Sequence, residues 1–194
     1  MADFHSKLLN VLSYCGNDSD EVASLICDRC SDFATLASFD ASVISNLSSE
    51  KYAVMIKIVS AIASRIGTEK FKFGRNHTEE EIKGFLSAYY LNIANETLLM
   101  LPLDSSGRVI CAEKIVEGTV NYSSVLPRKL IEVLLKYNST KAIIAHNHPG
   151  GKAQPSAEDI ETTRVVSELF STTGKELVCH YVVAGNDVVK VDIN

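Results

Sequence analysis

The sequence predicts an α/β (α+β) protein: a mixed sheet flanked by helices, preceded by a small all-helical N-terminal domain. Three observations carry this. Apolar residues recur at helical spacing through Ile66, the composition changes near Asn76, and beyond Asn95 short extended apolar runs alternate with amphipathic stretches. Residues 1–75 are expected to form the helical domain with its linker, and residues 76–194 the second domain. With 194 residues, 46% of them hydrophobic and 22% charged, the chain can bury a core in each, which excludes collagenous, low-complexity and broadly disordered classes.

Taken in order, Leu8, Leu9 and Leu12 mark the apolar face of a first helix. Asp18 and Glu21 have capping-box spacing before Val22, Leu25 and Ile26, and Ser49 precedes a long periodic stretch that Gly67 is expected to end. Lys70 to Arg75 interleaves basic and aromatic residues and reads as a linker whose phenylalanines dock on the next domain, with phosphate contact as the rival reading. Thr78 and Glu81 form a second capping box, opening a helix to about Leu91. A hairpin is expected from Glu96 to Leu103 and Arg108 to Val116 around a turn at Asp104 to Gly107. A helix started by Pro127, a buried strand at Lys141 to Ala145, a helix from Ala157 to about Thr173, and strands near Leu177 to Ala184 and Val188 to Val191 complete the series.

The net charge of -5 weighs against a strong nucleic-acid binder, because nonspecific affinity comes mainly from Lys and Arg at phosphates. Residues 1–75 carry 8 basic and 9 acidic groups and the remainder 11 and 15, so neither part is a basic module. Five cysteines cannot all pair internally, which suits a reducing compartment, and Cys27 with Cys30, on one side of a helix, are expected to pack. No apolar run reaches the ~18 residues of a membrane span, and Met1 to Ser6 is polar where a signal peptide would not be. The expectation is a cytoplasmic protein without membrane contact.

The chemistry concentrates in His146-Asn147-His148-Pro149-Gly150, directly after an apolar strand. Residues i and i+2 of a strand point to one side, so His146 and His148 can present two imidazoles to one ion. Asp159 follows in the first turn of a helix capped by Ser156. Two histidines and a carboxylate suit zinc and leave its fourth position to water, as hydrolysis requires. Read singly, Ser156 and Asp159 are also an ordinary helix start, and the histidines ordinary polar residues near a turn.

Together, His146-x-His148, seven residues and Ser156-x-x-Asp159 are similar to the JAMM motif of JAB/MPN metalloenzymes. The words HNHPGG, PSAED, Gly118-Thr119, Pro127-Arg128 and Asn138 resemble the RadC family of bacterial JAB proteins over residues 96–194. That resemblance implies zinc held by His146, His148 and Asp159, a JAB/MPN-type fold, Ser156 donating to the oxyanion of a tetrahedral intermediate, and a glutamate holding the attacking water. Glu96, eight residues before Asp104, fits that glutamate, with Glu113 and Glu117 as rivals. The family's aspartate before a later histidine is Cys179 here, which leaves His180 as a core or supporting residue. Residues 7–66 resemble the helical N-terminal region of RadC proteins, a helix-hairpin-helix whose Gly-x-Gly turn is replaced by Asn46-Leu47-Ser48.

The leading expectation is a zinc-dependent hydrolase of peptidase or isopeptidase type, acting on a protein or peptide, with the N-terminal helices docking a protein partner. The alternative is a RadC-type protein of DNA repair or recombination acting on or near DNA, with weak nucleic-acid binding. A folded interaction module with a vestigial metal site is the third reading, opposed by the intact set of five site residues. A cytidine deaminase is excluded because no PCxxC follows the histidines.

Overall fold

The computed structural model describes residues 2–118 and 122–192, with side chains for 3–118 and 127–192. Thr119, one half of the Gly118-Thr119 resemblance, lies outside the described residues. The N-terminal region comprises five helices: α1 (Ala2–Leu12), α2 (Ser19–Cys27), α3 (Phe33–Ser38), α4 (Ala41–Leu47) and α5 (Glu50–Lys70). Leu8, Leu12, Val22, Ile26, Leu36, Ile44, Tyr52 and Ile56 close one core among them.

Some local expectations change here. Asp18 and Glu21 form no capping box: the Asp18 carboxylate instead accepts from Tyr52 Oη at 2.5 Å and Lys51 Nζ at 3.1 Å, joining α2 to α5. Gly67 lies inside α5 and does not end it. A Cβ at Gly67 would meet Ala88 Cβ of α6 at 2.5 Å, so this glycine serves close helix approach. Cys30 falls beyond the end of α2, not on a shared helix with Cys27, but both thiols are free and Cys30 belongs to the core, where burial pushes it up to about 12.

The linker docks as expected. Phe71 is buried, stacked on His77 at 3.7 Å and against Phe85 at 4.4 Å, while Arg75 is paired with Glu81. Helix α6 (Glu79–Tyr90) opens with the complete Thr78/Glu81 capping box.

A five-stranded mixed sheet follows, in the order β2-β1-β3-β4-β5. Strand β1 (Thr97–Leu103) pairs antiparallel with β2 (Glu113–Glu117) and with β3 (Lys141–Asn147); β3 runs parallel to β4 (Glu176–Ala184), which pairs antiparallel with β5 (Asp187–Lys190). The second hairpin arm is shorter than expected: before Glu113 only Val109 bridges, to Leu103 and Arg75. Helix α7 (Tyr122–Lys136) begins upstream of Pro127, so the proline sits within it and forgoes one helical N–H bond. Helix α8 spans Ala157–Thr172.

Every residue of β1 is buried because both faces of the sheet are covered. Leu99, Leu101, Ile143 and Tyr181 pack towards α6, whereas Leu98, Met100, Ile144, Val166 and Phe170 pack towards α7 and α8. Among the described residues no helix is long and apolar enough to cross a membrane.

Candidate metal centre

The central strand β3 delivers His146 at its carboxyl end, buried on the α7/α8 side. The chain then turns: His148 N–H donates to Val183 O at 2.8 Å and Gly151 N–H to His148 O at 3.1 Å, with Gly150 at φ +67°. That turn brings His148 alongside His146, their Nε2 atoms 3.0 Å apart. Helix α8 supplies the third group. Ser156 caps it, accepting from Asp159 N–H at 3.1 Å, while Asp159 Oδ2 accepts from Ser156 N–H and Oγ–H at 2.7 Å each. The capping box thus fixes the carboxylate and leaves Oδ1 facing His146 Nε2 at 3.0 Å; Oδ2 lies 3.5 Å from His148 Nε2.

These residues fit a zinc ion. The Nδ1 of His148 meets Lys152 O at 3.0 Å, and a carbonyl only accepts, so Nδ1 carries the proton and Nε2 a lone pair. His146 likewise turns Nδ1 away, to His180 Nε2 at 2.8 Å. Nitrogen and carboxylate acceptors therefore converge where a shared proton or a metal cation relieves their repulsion. Four donors at zinc's usual bond lengths form a tetrahedron with edges of about 3.3 to 3.4 Å; His146 Nε2, 3.0 Å from both His148 Nε2 and Asp159 Oδ1, lies a little inside that value. Burial raises the Asp159 pKa, but the hydrogen bond and charge that His146 offers when protonated in the absence of an ion, together with the Ser156 hydrogen bonds, outweigh it, holding the carboxyl below the usual range.

Residues 76–192 match the sequence profile of the RadC-like JAB domain. The chain belongs to the RadC-like JAB domain family. Among its relatives, a UPF0758 protein of Photobacterium profundum is 32% identical over 140 residues, 72% of this chain and 62% of that protein. One of Herminiimonas arsenicoxydans is 32% identical over 156 residues, covering 80% and 68%. One of Janthinobacterium sp. (strain Marseille) is 28% identical over 190 residues, covering 94% and 84%. The chain spans less than two thirds of the first of these relatives.

In this family member Glu96 stands just before β1, half-buried, with a carboxylate oxygen within 4.8 Å of ligand nitrogens of both His146 and His148. Its rivals are engaged elsewhere: Glu113 with Lys136 at 2.9 Å and Tyr137 Oη at 2.8 Å, Glu117 with Lys114 at 2.6 Å. The Ser156 hydroxyl donates to Asp159, so it reaches an oxyanion only after rotating.

Sequence reasoning gave no role to two neighbours of this cluster. Asn147 accepts from Thr97 N–H at 2.8 Å and donates to Ile93 O and Asn95 O, gripping the chain on both sides of Glu96. Thr163 stands one helical turn after Asp159, donates to Asp159 O, and meets His180 Nδ1 at 2.7 Å. The i+4 spacing on a helix puts it on the carboxylate's face, a signal present in the sequence. His180 is buried, and burial, then the charge of His146, push its pKa down to about 3.

Proposed function

We propose that this protein is a zinc-dependent metallohydrolase of peptidase or isopeptidase type. The observation that carries the reading is the meeting of His146 Nε2, His148 Nε2 and the Asp159 carboxylate, with the Glu96 carboxylate beside the two histidines. Zinc held there lowers the pKa of a water towards ~7 and polarises a carbonyl oxygen.

The chain's own residues supply the rest. Glu96 accepts the proton of the attacking water and returns it to the leaving nitrogen, a role that needs only a carboxylate within reach. The Ser156 hydroxyl, rotated away from Asp159, donates to the oxygen on which charge develops. His146 is held by a buried hydrogen bond to His180 and Asp159 by the capping box with Ser156, so the site needs little rearrangement to bind its ion. The N-terminal helices dock a protein partner. A DNA-clamping role has less support, because Ser48 N–H is turned back to Ile44 O and Ser45 O as a helix cap and is not offered to phosphate.

Elemental analysis of the purified protein should find about one zinc per chain. Glu96→Gln should keep that zinc and the fold but lose at least ~10²-fold in turnover of any peptide or isopeptide substrate found by screening, whereas His148→Ala loses the metal as well. A folded wild-type chain that cannot be loaded with zinc overturns the reading; an active Glu96→Gln enzyme removes the proton transfer assigned to Glu96.

A further inference from the structure

His146 lies at one end of a buried chain of polar groups that leads away from the candidate metal position. Its Nδ1 is 2.8 Å from His180 Nε2; His180 Nδ1 is 2.7 Å from Thr163 Oγ1; Thr163 Oγ1 is 2.5 Å from the backbone oxygen of Asp159. His146, His180 and Thr163 are all buried.

Each proton in this chain has one available place. The Asp159 carbonyl has no hydrogen, so the Thr163 hydroxyl must donate to it. Having spent its only proton, Thr163 Oγ1 can meet His180 Nδ1 only as an acceptor, which puts the His180 proton on Nδ1. Neutral His180 then presents a bare Nε2, and the hydrogen bond to it must come from His146 Nδ1–H. In neutral His146, the state that binds a metal, that leaves the lone pair on Nε2, the nitrogen that faces His148 and Asp159.

We propose that Thr163 and His180 are positioning residues that fix the tautomer and ring orientation of His146, holding its Nε2 lone pair ready for the ion. The inference rests on the zinc-hydrolase reading above. The relay starts from the carbonyl of Asp159, itself a candidate ligand, so two of the three ligands are tied to one hydrogen-bonded unit. An unanchored imidazole can carry its proton on either nitrogen, and the Nε2–H form is blind to the ion. Supporting hydrogen bonds of this kind typically change metal affinity by about 10–100-fold when removed.

The discriminating substitution is Thr163→Val, which keeps the shape and removes the hydroxyl, so that His180 can move its proton to Nε2 and drive that of His146 onto the coordinating nitrogen. Zinc affinity is read by competition with a chromophoric chelator on the metal-stripped full chain. The expected result is about a 10–100-fold loss for Thr163→Val, with Thr163→Ser, which restores the hydroxyl, close to wild type. A second measurement needs no variant: in zinc-loaded, 15N-labelled wild type, a coupling across the hydrogen bond should link His146 Nδ1 to His180 Nε2, with the proton on His146. Thr163→Val bound as tightly as wild type, or the proton found on His180 Nε2, overturns the proposal while leaving the zinc reading intact. A wild-type chain that takes up no zinc removes that reading, and the proposal with it.

Discussion

Asn147 lies between the two histidines in sequence but faces the opposite side of the sheet, where its carboxamide is bonded to Thr97 N–H, Ile93 O and Asn95 O. The residue in the middle of the motif therefore sets the position of Glu96, the candidate base, while its neighbours face the ion. Asn147→Ala leaves buried backbone groups without partners, at a cost of about 1–3 kcal/mol. Denaturant unfolding should show that loss. Zinc content should remain near wild type while turnover falls, because the chain around Glu96 is freed and the ligands are not. Turnover unchanged in a folded Asn147→Ala protein would detach Asn147 from Glu96. The histidines were legible because a strand has period two, and Asp159 because it follows a capping serine. Asn147 was not legible in this way: its partners are backbone atoms some fifty residues earlier, and no spacing encodes them.

At the scale of elements, helix α3 of the N-terminal region touches the turn that carries His148. Gly150 N–H donates to Ser38 Oγ at 3.1 Å, and a Cβ on Gly150 would meet Phe39 Cε1 at 2.8 Å. Gly150 also has φ +67°, a conformation that costs a residue with a Cβ about 1–2 kcal/mol. Gly150→Ala should therefore lower the unfolding free energy by at least that amount and weaken zinc binding through displacement of His148. Adding Phe39→Leu, which clears part of the ring, should restore part of the zinc affinity but none of the backbone strain. Equal zinc affinity in wild type and Gly150→Ala would show that α3 does not brace the turn. The regular elements were mostly legible from periodicity, the Thr78 capping box formed as its spacing predicts, and Ser156 caps α8 as expected. The local signals that misled were overridden by tertiary contacts. Tyr52 and Lys51 took the Asp18 carboxylate from its helix end, and α6 needed Gly67 for close approach inside a helix that continues past it.

Across the whole molecule, a neutral histidine buried between the sheet and helix α8 ties global stability to pH. The His180 pKa is pushed down to about 3 in the folded protein, by burial first and then by the charge of His146, against 6.5 ordinarily. The unfolded chain therefore binds a proton below pH ~6.5 that the folded chain refuses until about pH 3, so this contribution is complete above ~6.5 and is lost as the pH falls through that window. One proton taken up only on unfolding gives a limiting slope of about 1.4 kcal/mol per pH unit. The lowered pKa of Asp159 adds a loss of the same sign, but only below its ordinary value of 3.8, so the interval from pH 6.5 to 5 is free of it and the comparison with a His180 variant singles out this histidine. In metal-stripped protein the free energy of unfolding should fall across that interval in wild type and fall less in His180→Gln, whose amide keeps a donor and an acceptor but cannot be protonated there. Urea titrations at half-unit steps of pH measure both slopes, and equal slopes would show that His180 is not the group holding the fold to neutral pH.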